Sequence, residues 1–202
     1  MVDRQLVARG IRDERVLDAF RRVPRHLFVD APFEAEAYAD FPLPIGGAQT
    51  ISQPYIVAAM VEAMEIEPDS VVLEIGTGSG YETAILAELT AAVYTIEVIP
   101  ELARQARQLL AELGYANIHY RIGDGNLGWP EAGPFDGIVV SAAPRRISDE
   151  LLKQLAEGAC CIVPEGELSQ MLRKYRRTAG DWQVETLMSV RFVPLVGSGQ
   201  SR

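Results

Sequence analysis

A glycine-rich run is the part of this sequence whose residue types are best suited to binding a ligand. The run is Glu74-Ile75-Gly76-Thr77-Gly78-Ser79-Gly80. Glycine lets a backbone turn tightly and approach a ligand, because no Cβ atom intervenes. The dinucleotide fingerprint G-x-G-x-x-G would need a third glycine at Tyr81, and a P-loop would need Lys-Ser or Lys-Thr after the run. The acidic residue before the glycines, Glu74, suits a cationic ligand better than a phosphate.

Two further acidic residues follow the next two predicted strands. Glu97 ends the second strand, 21 residues after Gly76, where an acidic side chain can bind two ribose hydroxyls. Asp124 follows the third strand, in Gly123-Asp124-Gly125, at a place that can face an adenine edge. Ligands of open α/β sheets bind at the carboxyl ends of the strands. Acidic residues at three successive strand ends therefore favour a ligand site over ordinary loops.

The elements that must position these residues alternate between buried strands and amphipathic helices. We predict strands over residues 70–75, 93–97, 118–122, 135–141 and 159–163. We predict helices over residues 54–64, 80–89, 100–113 and 149–156, with Ser52 as the N-cap of the first. This alternation is typical of βαβ units, so the predicted fold class is α/β, with a Rossmann-like, doubly wound, mostly parallel sheet.

The two ends of the chain depart from this alternation. Residues 4–22 predict two short helices, the second capped by Asp13, which form an N-terminal helical extension. Residues 170–176 and 183–193 are strand-like and flank the turn Ala179-Gly180-Asp181, which predicts a C-terminal antiparallel hairpin. Residues 23–53 show little periodicity, and a stretch of this kind is often functional.

The charge and the composition narrow the class of protein. The net charge of −9 argues against a nucleic-acid partner and against docking on an anionic membrane. Residues 41–61 are uncharged, but their prolines and glycines could not satisfy the backbone of a membrane span. No signal peptide is visible, and the neighbouring Cys160 and Cys161 are expected to be buried free thiols. We therefore expect a cytoplasmic protein, and a monomer.

The glycine loop and the three acidic residues resemble the cofactor site of class I S-adenosylmethionine methyltransferases. Residues 23–29, 37–55, 128–130 and 192–196 are similar, in order, to segments of the protein-L-isoaspartate O-methyltransferases. The resemblance implies S-adenosylmethionine as the cofactor, with the glycine loop on its methionine part. It also implies that Glu97 binds the ribose and Asp124 the adenine. The expected cofactor-binding residues are Gln49, Thr50, Glu74, Gly76, Thr77, Gly78, Ser79, Gly80, Glu97, Asp124 and Gly125.

The resemblance further implies a reaction with damaged proteins and peptides. The methyl group would pass to the α-carboxylate that is freed when Asn or Asp becomes isoaspartyl, and the ester would then cyclise to a succinimide. Ser52 is the implied catalytic residue, and Ile51 and Ser52 are the implied substrate-binding residues. A carboxylate, with a pKa of about 4, is already a nucleophile at neutral pH, so no general base is needed. We accordingly assign Ser52 the role of positioning the substrate carboxylate.

The chain length of 202 residues predicts one domain. The resemblance implies that it is a methyltransferase domain in three parts. Residues 1–53 would form the N-terminal helices and the substrate loop, residues 54–167 the cofactor-binding core, and residues 168–202 the hairpin. No metal site is expected, because the only histidines, His26 and His119, are far apart in the sequence.

Two other functions remain open at this point. One is a class I methyltransferase with another substrate, such as a nucleic acid, although residues 140–144 lack the Asn/Asp-Pro-Pro-aromatic motif of base amine methylation. The other is a catalytically silent S-adenosylmethionine-binding module. The chain also departs from the family at Ala48, where glycine is usual in bacterial members, and at Glu165, where an apolar residue is usual.

The glycine loop generates a first prediction. Gly78→Val should abolish binding of S-adenosylmethionine while the protein stays folded, because a branched side chain would occupy the space of the ligand. Calorimetric titration measures the affinity, and a thermal melt checks the fold. An unchanged affinity would show that the loop has only a structural role, and comparable binding of NAD to the unmodified protein would contradict the assignment of the cofactor.

Overall fold

A computed structural model describes residues 1–197 and contains five α-helices and nine strands within that range. The α-helices are α1 (Glu14–Arg22), α2 (Pro54–Met64), α3 (Tyr81–Leu89), α4 (Pro100–Glu112) and α5 (Asp149–Leu152). The strands are β1 (Leu43–Pro44), β2 (Thr50–Ile51), β3 (Val71–Ile75), β4 (Ala92–Glu97), β5 (Ile118–Ile122), β6 (Phe135–Val140), β7 (Leu155–Glu165), β8 (Gln170–Thr178) and β9 (Asp181–Val190). None of these helices combines the length and the apolar character needed to cross a bilayer.

Seven of the strands form one sheet in the order β5-β4-β3-β6-β7-β8-β9. The pairs from β5 to β7 are parallel, and β8 and β9 add an antiparallel hairpin at the edge. The predicted fold class is therefore confirmed. The chain passes from β3 outward to β5 and then returns to β6 on the other side of β3, so a topological switch point lies between β3 and β6. Ile75 pairs with Ile96 of β4 and with Val140 of β6, which brings the loops that follow these strands together.

The central strands of the sheet, such as β3 and β6, are buried on both faces, as the continuous apolar runs of a parallel sheet require. Neighbouring residues of β3 point to opposite faces, so Val72 packs in the core with helices α1 to α4, whereas Leu73 packs with α5 and Phe135. Cys160 and Cys161 are buried free thiols, as predicted. The central strands thus form a rigid support for the loops at their carboxyl ends.

The N-terminal extension also follows the prediction. Asp13 caps α1 by accepting a hydrogen bond from the backbone N–H of Arg15 at 2.8 Å. Glu62 of α2 accepts two more, from the backbone N–H groups of Arg12 and Asp13. The segment before α1 forms short π- and 3₁₀-helical turns, Val2–Leu6 and Val7–Arg9. The extension is therefore joined to the helix that follows the predicted substrate loop.

Three predicted boundaries were wrong by three residues or more. The helix predicted over residues 149–156 ends at Leu152, and the strand predicted from residue 159 begins at Leu155, because Leu155 already pairs with Phe135 as the first residue of β7. The last strand ends at Val190 and not at residue 193, and residues 191–196 leave the sheet. In each case, backbone pairing with a neighbouring segment overrides the local helix or strand pattern.

Glu165, the unusual acid at the end of β7, has three partners that explain its position. Its Oε1 accepts a hydrogen bond from the backbone N–H of Ile147 at 2.7 Å, and its Oε2 accepts one from the hydroxyl of Tyr175 at 2.9 Å. The Nε atom of Arg173 lies 3.2 Å from Oε2. Glu165 is only 8% exposed, so the carboxylate serves buried donors of the loop before α5 and of β8.

This arrangement predicts the effect of restoring an apolar residue. Glu165→Leu should lower the free energy of unfolding by about 1–3 kcal/mol, because the buried N–H of Ile147 and the hydroxyl of Tyr175 lose their acceptor. Tyr175→Phe should cost only about 0.5–1.5 kcal/mol, because no buried donor is left without a partner. Urea denaturation measures these values. If Glu165→Leu were as stable as the parent protein, Glu165 would not support this region.

Candidate active site

A cavity lies at the switch point, beside the carboxyl ends of β3, β4 and β6. It encloses about 750 Å³, including its open mouth. Ten of the thirteen predicted site residues line it: Gln49, Thr50, Ile51, Ser52, Gly76, Thr77, Gly78, Ser79, Glu97 and Gly125. The structure therefore brings the predicted substrate loop and the glycine loop into one site.

The glycine loop is tied to the end of β4. Gly76 donates its N–H to the carbonyl of Ile96 at 2.8 Å. Gly78 has a φ of +53°, which is strained for any other residue type, and donates its N–H to Oε2 of Glu97 at 2.9 Å. Oε1 of Glu97 accepts the N–H of Ile99 at 2.9 Å. Each carboxylate oxygen keeps a second lone pair for a ligand hydroxyl, which fits the predicted ribose contact.

Glu74 is not on the cavity wall, in contrast to the prediction. Its side chain is fully buried, and Oε2 accepts hydrogen bonds from the hydroxyls of Thr83 and Thr95, each at 2.6 Å. The hydroxyls of Thr95 and Thr77 are also 2.6 Å apart. Burial, together with the nearby Glu82, raises the pKa of Glu74 well above its usual value. Glu74 therefore supports the glycine loop from below and is not placed to touch a ligand.

Two further predicted residues lie outside the cavity wall. Gly80 faces helix α4, where a Cβ atom would lie 3.0 Å from Leu110 and 3.2 Å from Ala106, so close helix packing requires glycine there. Asp124 accepts hydrogen bonds at 2.9 Å from the backbone N–H and the side-chain amide of Asn126, and it caps a short 3₁₀ turn. The adenine contact of Asp124 stays a prediction.

The predicted substrate loop begins with a two-stranded ribbon in which β1 pairs with β2. Ala48 in its turn has a φ of +57°, a left-handed conformation that explains why glycine is usual at this position. The predicted N-cap was wrong, because Gln53 and not Ser52 occupies that position of α2. Ser52 is half-buried, and its hydroxyl forms no hydrogen bond to any residue between 1 and 197. That hydroxyl is available to a substrate.

A buried arginine that the sequence analysis did not select holds this loop. Arg25 is fully buried and donates hydrogen bonds from Nε to the carbonyl of Ala37 at 2.8 Å and from Nη2 to the carbonyl of Ser52 at 2.7 Å. Its guanidinium lies over the ring of Tyr81, 4.7 Å from the centroid. Burial lowers the pKa of Arg25 to about 10, so it remains charged at neutral pH.

The cavity also contains residues that the prediction missed, among them Glu82, Ser141 and residues 193–196. Glu82 follows Tyr81 in the first turn of α3, and Ser141 follows β6. Residues 193–196 line the cavity and are held to Ala143 by backbone hydrogen bonds of 2.8 and 2.9 Å. The segment 192–196 was already notable as a family motif, whereas Glu82 had no sequence signal. Within residues 1–197, the cavity wall contains two acidic side chains and no basic one, which favours a cation.

The fold and the cavity define a class I methyltransferase, the class that uses S-adenosylmethionine. The model of the protein-L-isoaspartate(D-aspartate) O-methyltransferase family matches residues 1–200 of the sequence. The chain belongs to this family.

Known proteins are similar to it over nearly its whole length. A protein-L-isoaspartate O-methyltransferase of Picosynechococcus sp. is 54% identical over 197 residues, which cover 98% of this chain and 89% of the relative. One of Gloeobacter violaceus is 53% identical and covers 96% of each chain. A solved protein-L-isoaspartate O-methyltransferase has a TM-score of 0.87 at 27% identity, covering 98% of this chain and 66% of that one. A Plasmodium falciparum structure in complex with S-adenosyl-L-homocysteine shares the fold, with a TM-score of 0.82 at 24% identity and 95% of each chain covered.

The buried guanidinium generates a prediction about the loop. Arg25→Lys keeps a positive charge but offers one nitrogen, so one of the two carbonyls loses its donor. We expect a loss of about 1–3 kcal/mol in stability. We also expect methyl transfer by the folded protein to fall roughly 10–100-fold, because Ser52 shifts.

Thermal melts and steady-state kinetics provide the two measurements. Arg22→Lys is the matched control, because Arg22 is half-exposed on α1 and bonds only to Glu88 among residues 1–197. Normal turnover in Arg25→Lys would show that Arg25 does not position the loop.

Proposed function

We propose that this chain transfers a methyl group from S-adenosylmethionine to the free α-carboxylate of L-isoaspartyl residues in damaged proteins and peptides. The methyl ester then cyclises to a succinimide, whose hydrolysis returns part of the residue to aspartyl. One observation carries the proposal: Ile51 and Ser52 line the same cavity as Gly76 and Gly78. A substrate bound at Ile51 and Ser52 would therefore contact a cofactor bound at the glycine loop.

The cavity offers a place for each part of the cofactor. The glycine loop would hold the methionine part, Glu97 would bind the ribose hydroxyls, and Gly125 with Asp124 would hold the adenine. Glycine at position 125 lets this loop pack closely on β3, since a Cβ atom there would lie 2.2 Å from Ile75. When bound, S-adenosylmethionine supplies a methyl group on a positively charged sulfur.

The residues of the cavity suit a reaction between opposite charges. In the transfer, a carboxylate oxygen forms a bond to the methyl carbon as the carbon–sulfur bond breaks, and the two charges are lost. A partly enclosed, water-poor cavity favours such a step when it aligns the reacting atoms. Val57, Ile75 and Ile99 provide apolar walls. No proton has to be removed from the carboxylate, so these residues need only bind, align and exclude water.

Ser52 would position the carboxylate and not attack it. Its hydroxyl is without a hydrogen-bond partner in residues 1–197, and the first residues of α2 follow directly. The hydroxyl is the donor proposed for the carboxylate, because Pro54 has no N–H group and the N–H groups of Ile56 and Val57 donate to the carbonyl of Gln53. The Arg25 hydrogen bond to the Ser52 carbonyl supports this position.

The remaining parts of the proposal concern partners and location. The chain would act on isoaspartyl proteins as a monomer in the cytoplasm, without binding nucleic acid or membranes. The net charge of −9 supports the absence of nucleic-acid and membrane binding, and the two buried free thiols support the location.

The direct test is methyl transfer to an isoaspartyl peptide beside its aspartyl isomer. The expected product is a base-labile methyl ester on the isoaspartyl peptide alone. Base-stable methyl groups on nucleic acid would support the other methyltransferase hypothesis. Cofactor binding without turnover on any isoaspartyl peptide would support the silent binding module.

The role of Ser52 generates a prediction. Ser52→Ala should lower methylation of the isoaspartyl peptide roughly 10–1000-fold, the scale of losing one preorganised hydrogen bond. Its melting temperature should not change, because Ser52 is not the N-cap. Steady-state kinetics with cofactor and peptide varied separately measures the effect, and Ser189→Ala on β9 is the matched control. Wild-type turnover in Ser52→Ala would remove Ser52 from the chemistry.

A further inference from the structure

Glu82 is a cavity residue to which neither the family resemblance nor the reaction assigns a role. It lies in the first turn of α3, directly after the glycine loop, and is 7% exposed. Its Oε2 accepts a hydrogen bond from the hydroxyl of Ser141. Its Oε1 is buried and has no hydrogen-bond partner among residues 1–197, and the same holds for Oε1 of the neighbouring Glu74. Because Glu82 lines the cavity and Glu74 does not, a ligand in the cavity can supply the donor that Oε1 of Glu82 lacks.

The charges around Glu82 indicate a cationic ligand. Glu97 of β4 is the other acidic residue of the cavity wall, and Ser141 after β6 is neutral. Glu74 of β3 lies off the wall, and its raised pKa favours the neutral acid. The one basic side chain named in this region, Arg25, lies behind Tyr81 and is absent from the cavity wall. Burial raises the pKa of Glu82 to about 7, and the Ser141 hydrogen bond opposes this effect. A bound cation would therefore find a negative wall and would favour the ionised carboxylate.

The cofactor carries two cationic groups, and only one of them fits the unpartnered oxygen. The sulfonium has no hydrogen to donate, whereas the ammonium of the methionine part has three N–H donors. Glu82 also lies at the end of the cavity that the methionine part would occupy, because Ser141 packs against Gly76. We propose that Oε1 of Glu82 binds the α-ammonium group of the cofactor. This inference rests on the proposed function, in that S-adenosylmethionine is the cofactor.

The inference predicts that cofactor binding is linked to a proton. Only the ionised carboxylate binds the ammonium well, so cofactor binding near neutral pH should release about half a proton from a group with a pKa near 7. The affinity should therefore rise with pH through the range in which Glu82 ionises. Below this range Glu82 is neutral, and above it the release ends because Glu82 is already ionised.

Calorimetric titration with three probes tests the assignment. S-adenosylmethionine carries both cations, S-adenosylhomocysteine only the ammonium, and 5′-methylthioadenosine neither. Glu82→Gln should weaken the first two roughly 10–100-fold at about pH 7.5 and leave the third within about threefold, because a charged hydrogen bond becomes neutral. The variant should also lose the pH dependence. Glu88→Gln, the same change on the same helix outside the cavity wall, is the matched control.

Several outcomes would overturn the proposal, and each would assign a different role to Glu82. A loss restricted to S-adenosylmethionine would assign Glu82 to the sulfonium, and an equal loss for all three probes would give it only a structural role. An unchanged affinity would exclude it from binding. Titration of the unmodified protein in buffers of different ionisation enthalpy needs no variant, and absence of proton release there would also contradict the proposal. If the unmodified protein bound neither S-adenosylmethionine nor S-adenosylhomocysteine, the proposed function itself would fail.

Discussion

The shape of the cofactor site depends on one buried carboxyl group. Glu74 at the end of β3 accepts hydrogen bonds from Thr83 on α3 and Thr95 on β4, and Thr95 in turn contacts Thr77 in the glycine loop. One side chain therefore links two strands, a helix and the loop between them. An isolated ionised carboxylate at such depth would be very costly. The raised pKa favours the neutral acid, which can occupy a fully buried place when its neighbours are hydroxyls.

A second buried polar group, Arg25, joins the N-terminal extension to this core. It bonds to the carbonyls of Ala37 and Ser52 and stacks on Tyr81, the first residue of α3. The substrate loop and the cofactor loop thus contact one another through a fully buried guanidinium. The two carbonyls replace water as acceptors for Nε and Nη2, and these hydrogen bonds fix the position of the loop.

The sequence predicted most of the fold because the fold follows local patterns. The β-branched run of β3 and the capping residue Asp13 each indicate their element directly. The roles of Glu74 and Gly80 could not be predicted, because the spacing of a motif does not tell which side chains face the ligand and which face the core. Glu82 had no signal, and Arg25 lay in the family-like segment 23–29 without any indication of its role. Their importance comes from burial and from partners far away in the sequence.

The chemistry of the transfer limits where a carboxylate can be useful in this cavity. The positive charge on sulfur disappears as the methyl group leaves, so a carboxylate beside it would stabilise the ground state more than the transition state and would slow the reaction. The ammonium keeps its charge throughout the transfer. A carboxylate beside it therefore stabilises the ground state and the transition state equally. An acid at the methionine end, such as Glu82, can therefore increase affinity without raising the barrier. Ser52, at the substrate end, is uncharged, and the positive charge of Arg25 is turned toward backbone carbonyls. The charged groups of the protein therefore lie away from the reacting atoms. The sulfonium and the substrate carboxylate can then neutralise each other in the transfer.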